Sequence, residues 1–194
     1  GDTSIVVGIV DTGVIPYHPD LGGRGERGNM FINWREKAGV AGVDDDGNGY
    51  VDDIAGWDFV SAATLPSGGE DALEEDNDPN DWVGHGTACA GIIGALAGNG
   101  IGLAGVAPQV RLMPLRIGWL PQGSTPPNGQ VDMAYAAAAI RYATRMGVNI
   151  LNCSFTTANL SGLDAAVTAA TRAGVVIVGS SGNFGTTATY LVQR

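Results

Sequence analysis

Asp11, His85 and Asn183 are polar residues set where chemistry is feasible. Asp11 opens an Asp11-Thr12-Gly13 turn straight after an apolar run. Asp-Thr-Gly also occurs in aspartic peptidases, but those need two carboxylates sharing a proton in an all-β setting, and this chain has one such turn. His85 lies in Gly84-His85-Gly86-Thr87-Ala88-Cys89-Ala90-Gly91, where small residues suit a helix start that another backbone approaches closely. His85 and Cys89 are spaced i, i+4, as two zinc ligands can be, with His18 or Cys153 needed to complete a set. Asn183 sits in Gly179-Ser180-Ser181-Gly182-Asn183-Phe184-Gly185, either as a turn residue or as an amide donor to a developing oxyanion. The same stretch resembles a nucleophile elbow but lacks the final Gly of that motif.

A second chemistry is cation binding. Asp44, Asp46 and Asn48 fall at positions 1, 3 and 5 of an EF-hand-like loop, with Gly49 at 6 and the Tyr50 carbonyl at 7. Ala55 stands where that loop has its Glu, so Asp52 or Asp53 is expected to close the shell. An all-oxygen set selects a hard cation, and calcium is the expected occupant. The plain alternative is an Asp/Gly turn in water.

These residues need a scaffold. Residues 4–10, 110–117, 148–153 and 175–178 read as strands, the first buried on both faces, and 130–146 and 161–173 as helices, the second capped by Ser161. Strands separated by helices imply an α/β fold, a parallel sheet flanked by helices. Sites in such sheets form beyond the carboxyl ends of the strands, which singles out Asp11, Gly118, Ser154 and the turn at 180–185. Of the 194 residues, 44% are hydrophobic and 15% charged, a globular composition for one domain over 1–194. Net charge is -10, which argues against nucleic acid, and no apolar run is long enough for a membrane span. Thirteen of the 20 acidic residues lie within 44–81. That window is an excursion from the scaffold, and its second half, 70–81, reads as solvated loop. Cys89 and Cys153 are either free, packed thiols or a disulfide.

Order and spacing make the weak signals specific together. Val7-Gly8-Ile9-Val10-Asp11-Thr12-Gly13 with His18-Pro19-Asp20-Leu21, then His85-Gly86-Thr87, Gly105-Val106-Ala107-Pro108, Ile150-Leu151-Asn152-Cys153-Ser154 and Ser181-Gly182-Asn183 resemble the subtilisin-like serine protease family over nearly the whole chain. The resemblance implies an endopeptidase with an Asp-His-Ser triad. Asp11 would orient the base, His85 would be general base and acid, and Asn183 would donate to the oxyanion. The segment after Ile117, from Gly118, and the strand at Ser154, Phe155 and Thr156 would pair with an extended peptide substrate, while Ser180, Ser181 and Gly182 would wall the first specificity pocket. Asp20, with the Asn99 side chain and the carbonyls of Leu96, Ile101 and Leu103, would form a second calcium site. Calcium use favours a secreted or otherwise extracytoplasmic protein.

The family's nucleophile lies in a Gly-Thr-Ser motif well after the oxyanion Asn, and none of the eight Ser here has that context. The chain is therefore expected to be an incomplete catalytic domain, inactive alone, whose nucleophile lies in a C-terminal segment or partner chain. The competing expectation is a pseudoprotease or calcium-dependent binding module.

Overall fold

The computed structural model describes residues 2–23, 28–126, 128–157 and 162–183. The expected cap Ser161 lies outside them, as do Phe184 and Gly185.

Strand β1 (Val6–Asp11) is central. A short 3₁₀ turn (Pro19–Leu21), helix α1 (Trp34–Ala38) and strand β2 (Trp57–Asp58) follow, then helix α2 (His85–Gly94), strand β3 (Arg111–Arg116), and the paired short strands β4 (Gly118–Trp119) and β5 (Gln130–Val131). Helix α3 (Met133–Arg145), strand β6 (Ile150–Cys153), helix α4 (Leu163–Arg172) and strand β7 (Val176–Gly179) complete the order. The main sheet is parallel, in the order β2-β3-β1-β6-β7.

Period-two alternation assigns the two faces of this sheet. Val10, Leu115, Leu151 and Cys153 point to one face, where α3 and α4 bury Ala136, Ile140, Ala143, Ala166 and Ala170 against them. Small Ala side chains let these helices lie close to the strands. Val7, Ile9 and Leu112 point to the other face and meet Ala90 of α2. That second face is covered unevenly. Val176 and Val178 of β7 are 57% and 50% exposed.

The expected helix over 130–146 begins later. Gln130 and Val131 pair antiparallel with Trp119 and Gly118, and the Asp132 side chain then accepts from Ala134 N and Tyr135 N to cap α3 at Met133. The acidic stretch 70–81 is loop, as expected, but its two ends, Glu70 and Asp81, are buried. Arg116, Asp58 and Glu70 are buried together, the Arg116 guanidinium donating to both carboxylates, to the Asp71 carbonyl and to the Gly118 carbonyl. Glu70 also accepts from Leu120 N. Glu70 turns inward where the Arg116 cation compensates it, while Asp71, Glu74, Glu75 and Asp78 stay in water.

Candidate active site

Asp11 ends β1 and is buried, while His85 begins α2 and is partly exposed. His85 Nδ1 and Asp11 Oδ1 are 2.7 Å apart, and Asp11 Oδ1 also accepts from Thr12 N at 2.8 Å. The approach requires glycine at two points. A Cβ on Gly13, whose φ is +107°, would lie 2.7 Å from the carbonyl oxygens of Pro79 and Asn80. A Cβ on Gly86 would lie 2.0 Å from the Gly13 carbonyl oxygen and 3.0 Å from Asp11 Cβ. The helix start is thus pressed against the Asp11 turn.

The Asp11 hydrogen bond, and after it one to Cys89, raises the His85 imidazole to about 10, outweighing the opposing effect of burial. Once deprotonated, a ring held by a carboxylate keeps its proton on Nδ1 and its lone pair on Nε2, the tautomer of a general base. Cys89 Sγ lies 3.9 Å from His85 Nδ1. Asp11, His85 and Cys89 offer ligand atoms within 4.8 Å of one another, but neither His18 nor Cys153 joins that group among the described residues. Cys89 and Cys153 are both free thiols, so the disulfide alternative does not hold. Cys153 is fully buried, and that burial pushes its thiol up to about 12.

A cleft of about 370 Å³ lies over this pair. Ser154, Phe155 and Thr156 line one part, following β6, and Ser180, Gly182 and Asn183 line another, following β7. Asp11, His85 and Asn183 therefore share one cleft at the carboxyl ends of neighbouring strands. Ser181 is exposed beside them. Gly118 is placed differently from the expectation. It is buried behind the cleft, paired with Val131, with room for no side chain beside Gln130 O and Thr12. The remaining rim is made by Asn128, Gly129 and Val131, none of which the sequence singles out. The Gly129-Gln130 step ahead of a capped helix was the available signal.

The acidic loop forms a second cluster. Carboxylate oxygens of Glu36, Asp46 and Asp53 lie within 4.8 Å of one another. Glu36 was not foreseen, because it precedes the loop on α1. It organises the loop, accepting from Asp45 N, Asp46 N and Asp52 N. Asp53 is fully buried and accepts from Tyr142 Oη at 2.6 Å and from the Asn33 and Asn48 amides at 2.8 Å each. Burial raises the Asp53 carboxyl, with the Asp46 charge adding to it. Asp44 instead wraps its own turn, accepting from Gly47, Asn48 and Gly49 N. The Tyr50 ring packs edge-on against Trp57, Phe59 and Tyr142. The all-oxygen character and crowded negative charge fit a hard cation.

The residues of the second predicted cation group meet through N–H donors and not through the expected carbonyls. Asp20 accepts from Asn99 Nδ2 at 2.8 Å and from Leu103 N at 3.3 Å, its carbonyl accepts from Leu96 N, and Ile101 N donates to Asn99 Oδ1.

A parallel sheet with a carboxylate-imidazole pair at its carboxyl edge defines a class, and the chain belongs to the subtilase family, whose model matches residues 2–193. It is 31% identical to thermitase of Thermoactinomyces vulgaris over 183 residues, 94% of this chain and 48% of thermitase. Identity is also 31% to subtilisin-like protease 1 of Plasmodium berghei, over 90% of this chain and 25% of that protein. Among solved structures, the nisin leader peptidase of Lactococcus lactis matches in fold with a TM-score of 0.58 at 24% identity, over 94% of this chain and 44% of that one. The chain thus spans about half the length of thermitase and less of the Plasmodium protein.

Proposed function

We propose that this chain is the Asp- and His-bearing part of a secreted, calcium-stabilised serine endopeptidase whose nucleophilic Ser is supplied by a segment outside residues 1–194. The 2.7 Å contact between Asp11 and His85 at the cleft floor carries the reading. His85 Nε2 takes the hydroxyl proton of the incoming Ser and returns it to the leaving amine. Asp11 holds the ring and stabilises the imidazolium. The Asn183 carboxamide donates to the oxyanion of the tetrahedral intermediate. An extended peptide lies between the segment at 154–156 and the rim at Asn128 and Gly129, with Ser180 and Gly182 walling the pocket for its leading side chain.

The half-open second face of the sheet supports a complementary segment. Exposed Val176 and Val178 are apolar surface that a further layer would bury. Glu36, Asp46 and Asp53, with Asn33 and Asn48, would hold one calcium ion, and Asp20 with the loop at 96–103 a second. The ion supplies positive charge that fixes the loop. Free calcium at the required level favours an extracytoplasmic setting, and no helix among the described residues is long and apolar enough to cross a membrane.

The test supplies the chain with a segment carrying a Gly-Thr-Ser motif and measures peptide hydrolysis and labelling by a fluorophosphonate. Both are expected only with the segment present and His85 intact. Hydrolysis that survives His85→Ala contradicts the reading. Peptide binding without hydrolysis in the assembled protein supports a pseudoprotease instead.

A further inference from the structure

We infer that Asp81 is the positioning residue that locks the helix bearing His85 onto the turn bearing Asp11. The inference rests on reading those two as the base and its orienting anion. Asp81 is buried and its side chain is fully engaged. Oδ1 accepts from Thr12 Oγ1 at 2.9 Å, Val83 N at 3.0 Å and Gly84 N at 2.8 Å. Oδ2 accepts from Thr87 N at 2.9 Å and Thr87 Oγ1 at 2.7 Å.

These bonds do two jobs. Helix α2 begins after Gly84, which sits at φ +92° and offers no side-chain cap. Asp81 takes over that role from outside the helix, satisfying donors in and before the first turn while its charge faces the positive end of the helix dipole. Thr12 makes the other connection. Its hydroxyl donates to Asp81 and accepts from Gly86 N at 3.1 Å, and its backbone N–H donates to Asp11. The Asp11 turn and the His85 turn are thereby joined through one carboxylate and one hydroxyl. Thr87 Oγ1 also accepts from Ile15 N at 3.0 Å, which ties the chain beyond Asp11 to the same helix start. Asp81 touches neither imidazole nor cleft, so its effect on the reaction passes through the Asp11–His85 distance.

His85 and His18 are the only two histidines, so their imidazole signals can be told apart by NMR, and His18 serves as internal reference. Asp11 and Cys89 are the groups that bear on the His85 titration, and Asp81→Asn also removes a charge from the helix start. Asp81→Asn and Thr12→Val are compared with Thr12→Ser. The first two are expected to lower the His85 midpoint by about one pH unit, a tenfold loss in proton affinity, while Thr12→Ser keeps it. Thr12→Val changes no charge. Loss of its weak bond to Asp11 alone would leave Asp11 a stronger acceptor and raise the midpoint, so a fall reports slackened geometry. An unmoved midpoint in both variants overturns the inference. So does a fall in Asp81→Asn with none in Thr12→Val, which would leave only charge. Should Asp81→Asn fail to fold, the Thr12 pair decides. The titration needs no nucleophile, so failure of the peptidase reading shows separately, as missing hydrolysis.

Discussion

Replacing Arg116 by Met is expected to destabilise the fold by about 3–5 kcal/mol, the cost of stranding buried carboxylates without their cation. The guanidinium has no exposure, nor has the Asp58 side chain, and the Glu70 side chain is 1% exposed. Methionine fills much of the volume, so the loss reports charge more than cavity. Burial pushes the Asp58 carboxyl up to about 8 against the pull of Arg116, and burial raises Glu70 as well. Two acids share one cation in a dry site, and a proton on one of them is the cheaper state. Folded-state values above the unfolded 3.8 and 4.5 mean that the folded protein holds protons the unfolded chain has lost. Stability from these groups is therefore full below the unfolded values and declines as pH rises toward 8. Removing the cation pushes both acids further up, so the deficit of Arg116→Met should widen with pH. Urea unfolding at pH 5 and pH 8 with an unchanged denaturant slope measures it. A deficit below about 1 kcal/mol, the scale of an exposed pair, or one equal at both pH values, refutes the reasoning.

Asp11→Asn should return the His85 imidazole toward its ordinary value of about 6.5, read by NMR titration. Because Asp11 raises that group, the pair stabilises the fold fully below about 6.5 and loses its contribution as pH rises through about 10. With the imidazole side chain 43% exposed, solvent screening holds the gain to about 1 kcal/mol. Calcium should raise the melting temperature and chelator lower it, with Glu36→Gln blunting both. A hundredfold excess over Kd corresponds to about 2.7 kcal/mol, and identical melting curves count against the site. Gly86→Ala should cost about 1–3 kcal/mol by overpacking and lower the His85 midpoint as α2 is forced off the Asp11 turn. A variant as stable as the parent, with the same midpoint, contradicts that contact.

Much of the sheet was legible because its strands are short apolar runs between Gly and polar residues, and β1, β3, β6 and β7 fall within two residues of the expected positions. The Ala-rich helices α3 and α4 were visible for the same reason. The Asp11–His85 pair could be read from motif order, and of the glycines at 84, 86 and 91 only Gly86 meets a backbone pressed close. What escaped depends on contacts between distant segments. Glu36 looks like one more surface acid until the loop at 44–53 folds over α1. Arg116 sits at the end of an apolar run, and only the folded excursion reveals Asp58 and Glu70 around it. Gly118 reads as a cleft residue because it follows β3, but it is paired with Val131 and hemmed in by the Gln130 carbonyl oxygen.

The acidity itself is best understood through burial. Seven carboxylates among the described residues are buried: Asp11, Asp20, Glu36, Asp53, Asp58, Glu70 and Asp81. Arg116 is the one buried cation beside them. Each remaining carboxylate must find protons, N–H donors or a metal, since an uncompensated charge cannot stay buried. Asp11 has His85, and Asp81 has the start of α2. Asp58 and Glu70 share Arg116. Asp20, Glu36 and Asp53 lean on backbone amides, Asn side chains and the Tyr142 hydroxyl. Those neutral donors orient the oxygens without cancelling their charge. Asp20 and the Glu36, Asp46 and Asp53 cluster, which lack a cationic partner, are where the calcium proposal puts an ion.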